Sequence, residues 1–151
     1  MVLCCFACAR TFCPLIWGSS RNGGGGRSLY DKGIGDAGAV QLGDLLAKNT
    51  SVTTIGLRRN NIGDAGAASL GAGLAKNTSV KEINLRYNNI GDAGAAALEK
   101  SLMQNSTLTS IDLGGNPMSD ASKQAVEGLA ARNALRPVLS GLRDNTVKEI
   151  R

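Results

Sequence analysis

Apolar and polar residues follow two spacings that alternate along the chain. In residues 52–57 (VTTIGL) the last two apolar residues, Ile55 and Leu57, alternate with period two, which predicts a short strand. Ahead of this run, Ala39, Leu42 and Leu46 are spaced by three and then four residues, which predicts a helix with one apolar stripe. Both patterns recur twice further along, so helices and strands are expected to alternate.

A unit of 28 residues is written three times without a gap, at residues 33–60, 61–88 and 89–116. Each unit contains one predicted helix, then one predicted strand, and then an asparagine. A single unit of this size does not bury its apolar face alone, so the units must stack on one another. The sequence therefore predicts an α/β solenoid of stacked units.

Residues 33–38 (GIGDAG) fit the glycine pattern G-x-G-x-x-G of dinucleotide-binding loops. The second and third units replace the first glycine with Asn61 and Asn89, so the glycines belong to the repeat. The next strand-like run begins about 15 residues later, whereas a βαβ unit needs about 30 residues or more. Asp36 would also place a negative charge beside a bound pyrophosphate. We therefore expect neither a dinucleotide nor another small-molecule substrate.

An aspartate stands at the expected start of each helix: Asp36, Asp64 and Asp92. Aspartate is a favoured N-cap because its carboxylate accepts hydrogen bonds from backbone donors that lack a partner, so these residues are the predicted N-caps. A calcium site is the alternative, but one carboxylate per unit falls short of the roughly six to eight oxygen ligands that calcium needs. We expect no metal site.

Glycine and asparagine also recur at fixed positions of the helices. Gly38, Gly66 and Gly94 would each cost about 1 kcal/mol against alanine, which indicates a close approach of helix and strand there. Asn49, Asn77 and Asn105 are expected to end the helices in a left-handed turn. The same three asparagines begin N-x-S/T sequons for glycosylation. We favour the structural role because all three occupy one repeat position.

The pattern L-x-x-L-x-L-x-x-N, followed by N-x-I-G-x-x-G-A-x-x-L, resembles the leucine-rich repeat of the ribonuclease-inhibitor type. NOD-like receptors and Ran GTPase-activating proteins share this class of repeat, and the match covers residues 33–116. The resemblance implies a curved solenoid with parallel strands on the concave face and helices on the convex face. It also implies an asparagine ladder, whose amides bond the backbone of neighbouring turns, at Asn60, Asn88 and Asn116.

Outside the three units the pattern weakens. The register places a strand at residues 24–29, where the apolar spacing is degenerate. Residues 118–133 keep the helix of a fourth unit, but Pro137 interrupts the strand spacing that should come next. We interpret residues 117–151 as a degenerate fourth unit, either a cap or a strand cut short, within one repeat domain over residues 27–151.

Residues 1–26 differ in composition from the repeats. They end in a glycine-rich linker and contain all the cysteines of the chain: Cys4, Cys5, Cys8 and Cys13. This spacing fits no common zinc site, and an arginine interrupts the apolar run, which disfavours a membrane span. Acylation of Cys4 or Cys5 would give weak membrane association. The favoured interpretation is a poorly ordered leader with a flexible linker.

The composition disfavours catalysis and nucleic-acid binding. The chain has no histidine and its repeats have no cysteine, so the commonest general base is missing and we expect no enzyme and no cofactor. The net charge is +5, but residues 33–116 carry seven basic and seven acidic residues. The repeats therefore have no net positive charge of the kind that binds nucleic acid. Repeats without cysteine fit a reducing compartment, so we predict a cytoplasmic protein.

The outward positions of the strands are the candidate binding surface. If the apolar strand residues face inward, the alternate residues face the concave side. The predicted partner-binding residues are therefore Thr54, Arg58, Arg59, Glu82, Asn84, Arg86, Tyr87, Ser110 and Asp112. Stacking gathers Arg58, Arg59, Arg86 and Tyr87 at the strand ends, with Tyr30 in the column of Arg58 and Arg86. Arginine and tyrosine dominate interface hot spots; the alternative is a solvated basic edge.

These observations predict a non-enzymatic scaffold module that binds a protein partner with an acidic or mixed surface. The resemblance leaves two alternatives of another class. One is a GTPase regulator similar to the Ran activators, in which Arg58 or Arg86 contacts the switch region. The other is a fragment of a NOD-like immune receptor.

Overall fold

The computed structural model describes residues 26–148, with side chains described over residues 28–136. Strands and helices alternate through this range: β1 (Gly26–Ser28), α1 (Gly35–Leu46), β2 (Thr54–Gly56), α2 (Asp64–Lys76), β3 (Glu82–Asn84), α3 (Asp92–Leu102), β4 (Ser110–Asp112) and α4 (Asp120–Lys148). The interpretation of the N-terminal segment as a poorly ordered leader, with acylation of its cysteines as the alternative and zinc binding disfavoured, concerns residues that lie outside the described ones.

The strands form one parallel sheet in the order β1-β2-β3-β4. Each strand pairs with the same position of the next unit, so that Ile55 pairs with Ile83, which in turn pairs with Ile111. The helices pack side by side in the same order, α1 on α2, α2 on α3 and α3 on α4. The chain is an α/β solenoid of stacked units, which confirms the predicted fold class.

The apolar core lies between the sheet and the helices. In the second unit Ile62, Leu70 and Leu74 from the helical side and Ile83 and Leu85 from the strand are at most 2% exposed. The other units bury the equivalent positions, except that Ile34 of the first unit is only partly buried. Because each unit contributes the same apolar residues, their burial is continuous along the solenoid, and this burial is the main favourable term in folding.

A ladder of buried asparagines runs behind the strand ends. Asn88 is 6% exposed, and its Oδ1 accepts hydrogen bonds from the backbone N–H of Asn60 and Ile62, both at 3.0 Å. Its Nδ2 donates to the carbonyls of Leu57 at 2.9 Å and Leu85 at 2.8 Å. One amide therefore satisfies backbone groups of its own unit and of the preceding unit. Bonds of the same kind are made by Asn60 and Asn116.

A second asparagine ladder, which the repeat pattern did not predict, precedes the strands. Asn77 is 3% exposed, and its Nδ2 donates to the carbonyls of Leu46 at 2.7 Å and Asn49 at 2.8 Å. Its Oδ1 accepts from the backbone N–H of Ser79 and Val80 and turns the chain into β3. The left-handed helix end predicted for Asn77 was wrong, because the residue is extended, with φ −80° and ψ 137°. The same four contacts recur at Asn105.

This ladder also bears on the sequons. Asn77 and Asn105 are each 3% exposed, and their amide nitrogens are held by backbone carbonyls of the preceding unit. A glycan on either nitrogen would require that part of the solenoid to open. The folded chain therefore favours the structural role at these two positions.

The aspartates at the helix starts form a third ladder. Asp36 Oδ1 accepts from the backbone N–H of Gly63 at 2.6 Å and of Gly66 at 3.0 Å, which lie at the start of α2. Asp64 makes the same two bonds to α3, and Asp92 bonds Ser119 just ahead of α4. The prediction that these aspartates cap their own helices was wrong, because α1, α2 and α3 have no side-chain bond at their own N-caps. Each aspartate instead caps the helix of the next unit.

The recurring helix glycines make room for this third ladder. A Cβ on Gly66 would lie 2.5 Å from Asp36 Oδ1 and 2.9 Å from the Cβ of Ala39. A Cβ on Gly94 would lie 2.5 Å from Asp64 Oδ1. The close approach is therefore to the preceding unit, and the predicted approach of helix to strand was wrong.

The two ends of the array depart from the repeat in opposite ways. The degenerate first strand does form: β1 pairs with β2 and Leu29 is buried. At the other end α4 continues through Pro137 to Lys148, so the described residues there form no strand. The helix predicted for residues 118–133 is present but is much longer than expected.

Replacing Asn88 with alanine tests the first ladder. We expect Asn88→Ala to lower the free energy of unfolding by about 2–4 kcal/mol, because several buried backbone groups lose their partner and each costs roughly 1–3 kcal/mol. Urea denaturation of the whole chain measures this. Asn89→Ala is the matched control, since Asn89 is exposed. Equal loss of stability in the two variants would contradict the ladder's role.

Candidate functional site

The turn after each strand positions the candidate site. Asp31, Arg59 and Tyr87 occupy the same position of successive units and all have positive φ, between 53° and 56°; Gly115 is next in the series, with φ 75°. The left-handed region is uncommon for residues with a side chain. Here the turn leads into the ladder asparagine, and it directs the side chains of Arg59 and Tyr87 outward, where both are exposed.

Stacking brings five side chains together at this edge of the sheet. We refer to Tyr30, Arg58, Arg59, Arg86 and Tyr87 as the arginine–tyrosine cluster. The Arg58 Cζ lies 4.8 Å from the ring centroid of Tyr87 and 5.7 Å from that of Tyr30. The Arg59 Cζ lies 5.5 Å and 6.0 Å from the same two centroids, and Arg59 Nη1 donates to Tyr30 Oη at 3.0 Å. These distances are within the range of cation–π attraction.

Arg86 differs from the other two arginines because it has a carboxylate partner. Its Nη1 lies 3.3 Å from Asp112 Oδ2, and its Cζ lies 5.4 Å from the centroid of Tyr87. The side chains of Arg86 and Asp112 are 41% and 40% exposed, so the pair itself contributes little stability. Among the residues with described side chains, neither Arg58 nor Arg59 forms an ion pair.

The charges of the cluster shift the ionisation of its members. The pKa of Tyr87 lies below its ordinary value, chiefly because of hydrogen bonding with Arg86 and then because of the positive charges of Arg86 and Arg58. The pKa of Arg86 lies above its ordinary value, chiefly through the same hydrogen bonding and then through Asp112. The cluster is thus a site of positive potential that favours an anion.

Arg58 is held more firmly than its position on the surface suggests. Its Nε is buried and has no hydrogen-bond partner within the described part of the chain. The side chain is half-buried between the rings of Tyr30 and Tyr87. The two rings therefore restrict the guanidinium before any partner arrives, which reduces the entropy lost on binding, whereas the buried Nε gives up a hydrogen bond in this position.

The remaining predicted binding residues lie along the strands. Thr54, Glu82 and Ser110 pair in one row across the sheet, and Glu82 and Ser110 are exposed. Asn84 Oδ1 accepts from the backbone N–H of Arg86 at 3.1 Å, so this amide supports the turn. The structure joins four of the predicted residues, Arg58, Arg59, Arg86 and Tyr87, in the cluster and leaves Thr54, Glu82, Asn84 and Ser110 outside it.

Tyr30 is the cluster residue that the predicted set omitted. The 28-residue period placed Tyr30 in the column of Arg58 and Arg86, but Tyr30 follows the degenerate first strand and was left out of the predicted binding residues. The structure includes Tyr30 because β1 does pair with β2.

Two other kinds of site are missing from the part of the chain that the structure describes. No group of three or more histidine, cysteine, aspartate or glutamate side chains there is arranged to hold a metal ion. None of the helices within residues 26–148 is both long enough and apolar enough to cross a bilayer.

The stacked units and their ladders define a solenoid repeat protein, and comparison with known proteins names the repeat. The family model of the leucine-rich repeat matches residues 48–71, 76–98 and 104–122. These matches and the fold together support a leucine-rich repeat protein, in agreement with the resemblance at that level. No curated protein sequence matches it.

Solved structures share the fold at low sequence identity. The actin-binding site 2 of leiomodin-1 superposes with a TM-score of 0.60 at 19% identity, over 80% of this chain and 87% of that one. The C-terminal domain of Caenorhabditis elegans tropomodulin gives a TM-score of 0.47 at 12% identity, over 76% and 87% of the two chains. The leiomodin-1 structure supports the leucine-rich-repeat fold. A leucine-rich-repeat domain in turn supports a role as a protein-interaction module.

Titration of the tyrosines tests the electrostatics of the cluster. The chain has two tyrosines, so Tyr30→Phe leaves Tyr87 as the one phenol that ionises. Monitored by ultraviolet absorbance, Tyr87 should titrate below the ordinary tyrosine pKa. Adding Arg86→Gln should raise the midpoint, whereas Lys48→Gln on the helical side should not. A midpoint that Arg86→Gln leaves unchanged would contradict this arrangement.

Proposed function

We propose that this chain is a non-enzymatic interaction module that binds a protein partner through its concave strand face. The arginine–tyrosine cluster is the centre of that surface, and the partner presents an acidic or mixed surface to it. The observation that carries the proposal is the pair Arg58 and Arg59, whose guanidinium groups have no carboxylate partner in the described part of the chain and lie against two exposed tyrosine rings.

The composition of the cluster suits an interface. Arginine and tyrosine are enriched among the few residues that carry most of the binding energy of protein complexes. A guanidinium also binds a carboxylate through two parallel hydrogen bonds. Tyr30 and Tyr87 are each 43% exposed, so a partner would bury apolar ring surface together with the charges.

The chemistry of the remaining polar residues supports binding over catalysis. Asp36, Asp64 and Asp92 accept backbone hydrogen bonds from the next unit, so these carboxylates are engaged in holding the fold. Asp112 is engaged with Arg86. We extend the proposal to a repeat of the ribonuclease-inhibitor type and to the cytoplasm, on the repeat pattern and on the absence of cysteine from residues 33–116.

A GTPase-regulating role receives less support from the geometry. That role would need an arginine that reaches out from the surface toward a bound nucleotide. Arg58 is held between two rings with a buried Nε, and Arg86 is paired with Asp112. Neither of the two arginines predicted for that role extends freely from the strand face.

A capture experiment with matched charge reversals tests the proposed surface. The whole chain and its Arg58→Glu/Arg59→Glu variant are used as baits in a lysate of the source organism. We expect a partner retained by the wild type to lose affinity at least tenfold for the variant, because a lost hot spot costs about 2 kcal/mol or more. The affinity is then measured with the purified partner by calorimetry.

The control variant is Lys48→Glu/Lys76→Glu, which makes the same change in net charge at exposed positions near the ends of α1 and α2. Circular dichroism establishes that both variants are folded. An equal loss of affinity in the two variants would mean that the change in net charge alone explains the effect. Full retention by Arg58→Glu/Arg59→Glu would overturn the proposed site.

Actin is one specific partner to test, because the structure of leiomodin-1 that shares this fold is an actin-binding site. At 19% identity the likeness carries the fold alone, so binding has to be measured directly. If actin is the partner, the whole chain should co-sediment with actin filaments, and the Arg58→Glu/Arg59→Glu variant should remain in the supernatant. If the same amount of the whole chain sediments with and without filaments, actin is excluded as the partner. The proposed surface is then tested by the capture experiment alone.

A further inference from the structure

Asn133 is the last residue of the second asparagine ladder, and its side-chain oxygen lacks the hydrogen bonds that the earlier ladder residues accept. Asn133 is 4% exposed, and its Nδ2 donates to the carbonyl of Asn105 at 3.1 Å, which is the bond that Asn77 and Asn105 make to the ladder residue before them. Its second bond goes to the carbonyl of Leu108 at 3.0 Å, whereas the earlier pattern would place it on Leu102. Its Oδ1 is buried and has no hydrogen-bond partner among the described residues. In the two preceding units the corresponding Oδ1, of Asn77 and of Asn105, accepts two backbone N–H groups.

The missing bonds have a plain cause. Each earlier asparagine accepts from the residues two and three positions later, where the chain leaves the helix and turns toward its strand. At Asn133 the chain instead remains in α4, so the N–H groups of the next residues point along the helix. A buried acceptor without a partner disfavours this conformation.

Pro137 opposes the helix at the same place. Residue 137 would donate the helical hydrogen bond to the carbonyl of Asn133, and proline has no N–H to donate. The side-chain and main-chain oxygens of Asn133 therefore both lack a donor that the rest of the repeat pattern would supply.

The sequence after Asn133 also carries the signature of a strand and its turn. The tetrapeptide L-R-x-N ends the strand segments of two units, as LRRN at residues 57–60 and LRYN at 85–88, and it recurs as LRDN at 142–145. In the earlier units the two ladder asparagines are 11 positions apart, whereas Asn133 and Asn145 are 12 positions apart. One additional residue is what a β-bulge accommodates, and proline is tolerated at such a bulge.

We propose that residues 134–145 have a second conformation, in which α4 ends at Asn133 and the segment adds to the free edge of β4 as a fifth parallel strand. β4 is the last strand of the sheet, so no strand pairs with its outer edge, and α4 is the helix that packs against it. Ending α4 at Asn133 would make that edge available for pairing. In this state Asn133 Oδ1 accepts the N–H groups of residues 135 and 136, as in the earlier units. The register places Arg143 in the column of Arg58 and Arg86, so the switch would enlarge the basic strand face.

Nuclear magnetic resonance of the whole labelled chain tests the switch. In the wild type we expect strand-like Cα shifts for residues 138–142, in the main state or in a minor state detected by saturation transfer, and contacts between residue 139 and Ile111. Pro137→Ala should reduce the strand population strongly, because proline disfavours a helix interior by a factor on the order of a hundred relative to alanine. Asn145→Ala should also reduce it, by removing the ladder residue while leaving Pro137 in place.

Arg136→Ala is the matched control, since it changes an exposed neighbour of Pro137 to the same residue and keeps the proline. The strand signals should persist in this variant. Helical shifts throughout residues 134–145 of the wild type with no exchanging state would overturn the proposal. A strand population that Pro137→Ala leaves unchanged would also overturn it. The test is independent of the proposed function, because it requires no partner.

Discussion

The hydrogen bonding of buried backbone between neighbouring units is the constraint on which the rest of this structure depends. Strands of three residues supply few ladder bonds, and the connecting turns lie against the core, where water does not reach their N–H and C=O groups. Asparagine side chains fill this need on both sides of β2, β3 and β4, and aspartate fills it at the starts of α2, α3 and α4. The apolar core drives the units together, and these polar side chains set their registration.

The same ladders shape the candidate binding surface. Asn60 and Asn88 hold the turns that place Arg59 and Tyr87 in the left-handed conformation with their side chains outward. Because each turn repeats at a constant offset, arginines and tyrosines from adjacent units stand at distances that suit cation–π contact. The surface is therefore positioned by the fold, with Asp112 from β4 orienting Arg86 as a further support.

Local and tertiary preferences disagree at the C-terminal end of the array. Asn133 has the burial of a ladder residue and the donor bond that links it to Asn105, whereas the chain around it is helical. In the interior of the array the helix length, the turn residue and the ladder bonds all favour the same conformation of the unit. Such agreement is typical of a sequence that specifies one structure. At Asn133 and Pro137 they do not agree, and a buried oxygen is left without a donor as a result.

Periodicity by itself determined the alternation of helix and strand, the 28-residue offset, the inward positions such as Ile55 and the columns that bring Arg58 and Arg86 together. These are properties of spacing along one chain, and stacking copies them from unit to unit. Only the tertiary structure decided that Asp36 caps the next helix, that Asn77 forms a second ladder, and that α4 continues past Asn133. Each of those depends on which backbone group lies across the gap between units, and a pattern within one unit does not contain that information.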